Sequence, residues 1–140
     1  MDDGDLRQAM QVLESYEAQL ERLNRQAAAL QASMEDVLRA RDTLNALKTA
    51  KEGDEILVPI GASSYVNVKV TEKTEVIVGV GSRLSVKKDI DDAVEFVVRT
   101  GNEVSESLKK VVDALAEIEK MASDLTLAVQ NEYRNRQPGQ

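Results

Sequence analysis

The chain has 140 residues, with 18 Lys and Arg against 25 Asp and Glu, no His or Cys, and only 3% aromatic residues. The absence of Cys excludes disulfides and thiolate chemistry. Because His is absent too, we expect no metal site, no cofactor and no enzyme activity. The formal net charge of −7 opposes non-specific binding to nucleic acids and to anionic membranes. No run of 18 apolar residues and no basic leader is present, which predicts a single soluble, cytoplasmic domain over residues 1–140.

The first predicted element is a coiled-coil helix over residues 5–52. With Leu6 at heptad position a, eleven of the twelve a and d positions are apolar, and Arg41 is the exception. This run exceeds the three to four heptads that indicate a coiled coil. Lys48 and Lys51 followed by Gly53 are typical of a helix end. The positions are Leu6, Ala9, Leu13, Tyr16, Leu20, Leu23, Ala27, Leu30, Met34, Val37, Arg41 and Leu44.

Residues 53–88 then change to the period-two pattern of half-buried strands. The pattern predicts two β-hairpins in succession, with a polar turn at residues 71–74 between them. Pro59 cannot donate to a strand ladder, so its strand is expected to lie at an edge or to pair on one side only. Gly79 and Gly81 lack the remaining residues of a phosphate-binding loop and are interpreted as turn or bulge positions. The predicted strands are Glu55–Ile60, Tyr65–Val70, Glu75–Val80 and Arg83–Lys87.

So few strand residues bury too little surface to be stable alone, and their edges are open. The segment therefore predicts oligomerisation through the strands, by pairing with identical or related subunits. The predicted assembly residues are Ile56, Leu57, Val58, Pro59, Ile60, Val66, Val68, Val70, Val76, Ile77, Val78 and Val80.

A second coiled-coil helix is predicted over residues 89–133, followed by a disordered tail at 134–140. Asp89 is a suitable N-cap, and acidic residues in the first turn favour a helix start over a metal site. Gly101 is the weak point, but the heptad phase continues across it, which predicts an unbroken helix. The a and d positions are Ile90, Val94, Val97, Gly101, Val104, Leu108, Val111, Leu115, Ile118, Ala122, Leu125, Val129 and Glu132.

The two helical segments have nearly equal lengths, which favours antiparallel pairing within one chain. Each would span roughly 60 Å, and the chain termini would lie together at the far end. The alternative is a pair of parallel, homodimeric coils. The predicted fold is therefore mainly α with a small β insert: a long antiparallel coiled-coil hairpin whose helices are joined by two β-hairpins.

The stretches EILVPIGASSYV, VIVGVGSRLSVKKDI and DDAVEF, within Glu55–Phe96, resemble the prefoldin α subunit family, especially its archaeal form. The flanking helices resemble the family in length and periodicity only. The resemblance implies that the hairpins oligomerise into a β-barrel body, in a hexamer of two α and four β-type subunits. It also implies an ATP-independent chaperone that captures unfolded polypeptides at its coiled-coil tips and delivers them to a group II chaperonin.

A capture surface needs apolar side chains outside the seam of the helix pair. Near the chain termini, Met10, Val12, Met121 and Leu127 fall at e, f or g positions, where methionine adapts to varied partners. The neighbouring seam residues either border that surface or only close the coil; they are Leu6, Leu13, Leu125 and Val129. The predicted client-binding tip comprises Leu6, Met10, Val12, Leu13, Met121, Leu125, Leu127 and Val129.

Asp2, Asp3 and Asp5 are expected to form an acidic end close to Asp124 and Glu132. This end is either a solvated terminus or a docking surface for a basic region of the chaperonin. Two other functions are alternatives to the chaperone: a filament-forming structural paralogue, and a coiled-coil transcription factor that acts on RNA polymerase. The latter needs acids at the helix-to-helix turn, where this chain carries strands.

Overall fold

A computed structural model describes residues 1–72 and 75–136, and the expected turn at 71–74 and tail at 134–140 lie partly outside them. The fold is two long helices with two small antiparallel β-hairpins between them, as the sequence predicts. The elements are α1 (Asp3–Thr49), β1 (Glu55–Gly61), β2 (Ser64–Lys69), β3 (Val76–Gly81), β4 (Leu84–Lys88) and α2 (Ile90–Asn135).

The chain divides into two compact units. Unit 1 comprises Met1–Gln31 and Glu106–Gln140, and unit 2 comprises Ala32–Ser105. Each unit therefore contains part of α1 and part of α2, and unit 2 also contains both hairpins.

The predicted seams of both helices are confirmed. Every apolar a and d position is buried or half-buried, whereas Arg41 is exposed and pairs with Asp42 at 3.6 Å. In unit 1, Leu6 near the start of α1 clusters with Val129 near the end of α2. In unit 2, the late α1 residue Leu44 clusters with Ala93 of early α2. The helices thus pair antiparallel within one chain in each unit, as predicted, and the homodimeric alternative does not apply.

Side-chain caps fix both helix starts. At α1 the Asp5 N–H donates to Asp2 Oδ1 at 2.7 Å, and the Asp2 N–H donates back to Asp5 Oδ2 at 3.2 Å. This is the reciprocal pattern of a capping box. At α2 the Asp92 N–H donates to Asp89 Oδ1 at 2.8 Å, which confirms Asp89 as the N-cap. The helix ends differ from expectation: α1 stops at Thr49, and α2 continues to Asn135, two residues past Tyr133.

The two hairpins are separate two-stranded sheets that use the same turn. Their two-residue loops, Ala62–Ser63 and Ser82–Arg83, have positive φ at both positions, between 50° and 60°. Positive φ at both central residues is the type I′ geometry, whose twist suits a hairpin. Gly61 and Gly81 precede these loops with φ of 96° and 101°, and the register shifts beside each glycine. The interpretation of Gly79 and Gly81 as turn or bulge positions is confirmed.

The hairpins are copies of one pattern at a spacing of 20 residues. The pair Val58↔Val66 in the first hairpin corresponds to Val78↔Val86 in the second, and the bulges fall at equivalent places. In the described part of the chain each strand has only one partner. Each hairpin therefore presents two unpaired edges.

The core of unit 2 joins the second hairpin to the helices. Val78 is buried with Leu44 and Ala93, and four half-buried residues pack around them. Ala93 is fully buried, which leaves no room there for a larger side chain. The surrounding residues are Val76, Val94, Phe96 and Val97.

Gly101 lies where α1 and α2 approach closely in unit 2. A Cβ atom at this position would lie 3.0 Å from Cγ1 of Val37. α2 continues through Gly101 unbroken, as predicted. The glycine therefore allows a close approach of the two helices and does not break α2.

Candidate functional site

A shallow groove runs between α1 and α2 in unit 1, and we call it the terminal groove. Its volume is about 580 Å³. The α1 residues recur every three or four positions, as do the α2 residues, so each helix contributes one face. The terminal groove is lined by Asp5, Gln8, Ala9, Val12, Tyr16, Met121, Asp124, Leu125 and Ala128.

The eight predicted tip residues divide into two groups in unit 1. Leu6 and Val129 are buried, and Leu13 and Leu125 pack against them. These four close the helix pair and border the surface. The other four lie off the seam: Met10, Met121 and Leu127 are exposed, with 47%, 40% and 55% of their surface accessible, and half-buried Val12 lines the terminal groove.

Carboxylates stand on both sides of the terminal groove, one from each helix. Asp5 comes from the first turn of α1 and Asp124 from α2. Asp5 and Asp124 therefore lie near each other, as expected. Sequence reasoning missed four lining residues: Gln8, Ala9, Tyr16 and Ala128. Each lies three or four positions from a predicted residue, Val12 or Leu125, so helical spacing would have identified them.

The chain ends are joined by ion pairs that the sequence reasoning also missed. Arg136 pairs with Asp3 and, at 3.2 Å, with Glu132, and it donates to the carbonyl of Met1 at 2.7 Å. The amino terminus of Met1 lies 3.5 Å from Glu132. Hydrogen bonds to Asp3 and Glu132 raise the pKa of Arg136 above its ordinary value. The sequence could have predicted these ion pairs, because acids in the first turn of α1 and bases after α2 meet when the helices pair antiparallel.

Unit 2 carries a second surface, which we call the hairpin groove. Its volume is about 810 Å³, and strands β1 and β3 line it together with α1 and α2. The lining is mainly apolar, with Asp36, Arg39 and Glu75 as its charged members. Apolar lining residues include Leu44, Leu47, Val58, Pro59, Val76, Ile77, Val78, Phe96 and Val97.

The predicted assembly residues differ in their availability. Val70 and Val78 are buried in their own chain, so they support the hairpins from within. Ile56, Val58, Pro59, Val68 and Val76 are half-buried. The exposed members are Leu57, Ile60, Val66, Ile77 and Val80.

Three further exposed apolar residues on the hairpins were missed: Tyr65, Leu84 and Val86. Tyr65 sits opposite Pro59 in the ladder, and Val86 opposite Val78. The 20-residue spacing of the hairpins would have identified Val86 as an assembly residue, since it occupies the position that Val66 holds in the first hairpin. With 69% of Ile77 and 65% of Leu57 accessible, both hairpins display large apolar side chains to solvent.

Nothing resembling a catalytic centre appears in the described residues. They contain no group of three or more His, Cys, Asp or Glu arranged to hold a metal ion, and no buried polar side-chain atom without a hydrogen-bond partner. Over the same residues, neither long helix has a stretch apolar enough to cross a bilayer. The described chain combines two long helices with two β-hairpins that expose large apolar side chains.

Comparison with known proteins gives the family. The family model described as "Prefoldin subunit" matches residues 16–135. Prefoldin subunit alpha of Methanothrix thermoacetophila is 33% identical over 69 residues, which are 49% of this chain and 45% of that protein. The match thus spans less than half of that relative's length.

A solved structure has the same fold over most of the chain. The cryo-EM structure of filamentous PFD from Methanocaldococcus jannaschii superposes with a TM-score of 0.64 at 27% identity, covering 87% of this chain and 98% of that one. The chain belongs to the prefoldin family, whose members are chaperone subunits.

Proposed function

We propose that this chain is a subunit of an ATP-independent holdase that binds unfolded polypeptides in the cytoplasm and has no catalytic activity of its own. The observation that carries the proposal is the set of apolar side chains off the seam near the chain ends, Met10, Val12, Met121 and Leu127, in a chain of the prefoldin family. Such side chains contribute nothing to closing the helix pair, and contiguous exposed apolar surface usually marks an interaction site.

The chemistry of these side chains suits varied clients. Met10 and Met121 have unbranched, polarisable side chains that adapt to differently shaped partners. Leu127 at an f position faces away from the seam, where a polar residue is the norm. Binding through such groups needs no nucleotide, because release requires only that a competing surface cover the client's apolar segment.

The partners follow from the family and from the open hairpin edges. We infer assembly with prefoldin β-type subunits into a hexamer of two α and four β chains, through Leu57, Ile60, Val66, Ile77 and Val80. A group II chaperonin is the proposed recipient of the client. The relation to prefoldin subunit alpha and the unpaired strand edges support this assembly.

The test replaces Met10, Val12, Met121 and Leu127 together by Ser. We expect the variant to keep the assembly of the parent and to lose most of its suppression of aggregation of a chemically unfolded client, followed by light scattering. Of the four replaced residues, Val12 and Met121 line the terminal groove, and Met10 and Leu127 are exposed beside them in sequence, near the chain ends. The matched control is Val98→Ser with Val112→Ser, because these valines are also exposed and off the seam but lie earlier in α2, farther from the chain ends.

Unchanged suppression by the four-residue variant in an intact assembly would contradict the proposed client surface. Equal losses in the variant and the control would show that general surface apolarity, not this location, determines binding.

One observation favours a second function, a filament-forming structural subunit. The solved structure with the same fold is described as filamentous PFD. The two hairpins of this chain are near copies with open edges, so self-association is geometrically available. Nothing favours the transcription factor, because strands and not an acidic turn connect the helices.

A further inference from the structure

The terminal groove combines an apolar floor with an acidic rim. We propose that it selects client segments in which large apolar side chains are flanked by Lys or Arg. This inference rests on the proposed holdase function and adds the chemical class of client that the groove prefers.

The floor provides the apolar contact. Ala9 and Leu125 form its base, since both belong to the core of unit 1, and Ala128 lies one turn further along α2. Val12 and Met121 stand on the two sides. The small side chains of the two alanines leave space above the seam, and Met121 can adjust to what fills it.

The rim provides the charge. Among the described residues Asp124 has no ion-pair partner and accepts no hydrogen bond, although Lys120 is one turn away. Asp5 accepts only the N–H of Asp2, at 3.2 Å, which leaves its charge uncompensated by any cation of the described chain. Two carboxylates therefore face the groove without counter-charges.

Two cations at the chain ends are already engaged, whereas Arg7 and Arg134 form no ion pair with the described residues. Arg136 pairs with Asp3 and Glu132, and the Met1 amino group lies beside Glu132. Over the first sixteen residues the charged side chains are four acids and one base, Arg7. The helix dipoles do not reverse this sign, because the positive end of α1 and the negative end of α2 meet in unit 1 and offset each other.

A client segment with basic flanks satisfies both features. Its apolar side chains can occupy the floor while its Lys or Arg side chains, on long apolar stems, reach the carboxylates of the rim. An acidic flank would place like charges side by side. The same apolar sequence should therefore bind with an affinity that depends on the sign of its flanks.

The test measures binding of three fluorescent peptides to the full chain in the assembly that it forms. All share an apolar centre of Leu and Phe, and the flanks are Lys, Gln or Glu. We expect the Lys-flanked peptide to bind about three- to tenfold more tightly than the Gln-flanked one, as two exposed ion pairs would give, and the Glu-flanked peptide more weakly. Raising the ionic strength to about 0.5 M should reduce this difference, since the screening length falls well below 10 Å.

Two variants connect the preference to the groove. Asp124→Asn alone, and combined with Asp5→Asn, should reduce the preference for Lys flanks stepwise while leaving binding of the Gln-flanked peptide unchanged. Asp113→Asn is the matched control, an exposed acid of α2 in the same unit that does not line the groove. Asp124→Asn avoids the α1 cap, so it remains informative if Asp5→Asn frays that helix.

Equal binding of the three peptides, or an equal effect of Asp113→Asn and Asp124→Asn, would overturn the inference while the holdase function stands. Absence of binding by every peptide, together with no suppression of client aggregation, would overturn the proposed function as well.

Discussion

At the scale of the residue, the close approach of Val37 to Gly101 sets packing against helix propensity. Glycine in a helix interior costs about 1 kcal/mol relative to alanine. The position nevertheless faces a Val Cγ1 that an alanine Cβ would meet at 3.0 Å. Val37 is β-branched and stiff at χ1, so it yields poorly. The sequence revealed that the heptad phase continues through Gly101, but not that Val37 of the partner helix approaches it so closely.

We predict that Gly101→Ala gives less than the stabilisation of about 1 kcal/mol expected from propensity, and that it gives the full amount when Val37 is Ala. The double-mutant coupling should be about 0.5 kcal/mol or more, measured by urea unfolding at fixed protein concentration. Asn102→Ala, an exposed neighbour, should instead be additive with Val37→Ala. Additivity of Gly101→Ala with Val37→Ala would show that the close approach has no energetic weight.

At the scale of the element, the hairpins depend on backbone geometry that few residues adopt. Gly81 has φ of 101°, whereas Gly79, two residues earlier, has no positive φ and open space around it. An L residue at Gly81 must accept a sparsely populated conformation.

Gly81→Ala should therefore lower the stability of the second hairpin by about 1–2 kcal/mol, whereas Gly79→Ala should be nearly neutral. Hydrogen exchange of the β3 and β4 amides measures the local opening, and thermal unfolding measures the global effect. Equal protection in the two variants would refute the assignment of strain to Gly81.

Strand alternation and heptad spacing predicted every helix and strand to within a few residues, because burial imposes a period on the sequence. They could not predict what covers each strand face. Val70 and Val78 were assigned to contacts between subunits, yet their own chain buries them. The positive φ of the loop residues Ala62 and Ser63 could not be predicted either, since neither is glycine. Off-seam residues such as Met121 were identifiable because a heptad position fixes which side chains leave the seam.

At the scale of the whole molecule, the proposed assembly depends on exposed apolar side chains of the hairpins. Leu57 and Ile77 occupy equivalent places in the 20-residue repeat, and both are largely exposed. Their removal should leave the fold intact, because neither belongs to the core of unit 2.

We predict that mixing the chain with a prefoldin β-type subunit gives one closed species of six chains, and that Leu57→Ser with Ile77→Ser shifts it to smaller species. Native mass spectrometry distinguishes these states, and circular dichroism verifies that helix content is kept. The Val98→Ser, Val112→Ser control should assemble normally. Growing, polydisperse assemblies from this chain alone, unaffected by the β-type subunit, would instead favour the filament.

Because the hairpin occurs twice, the chain has more than one place at which another subunit can pair with it. In the language of polymer chemistry, a subunit with two unpaired hairpins is a multifunctional monomer, and a β-type subunit that covers their edges would act as a chain stopper. Ring, short oligomer and fibre then become outcomes of stoichiometry as well as of geometry. The concentration ratio of the two kinds of subunit would set the length of the product, without any change in the sequence of either.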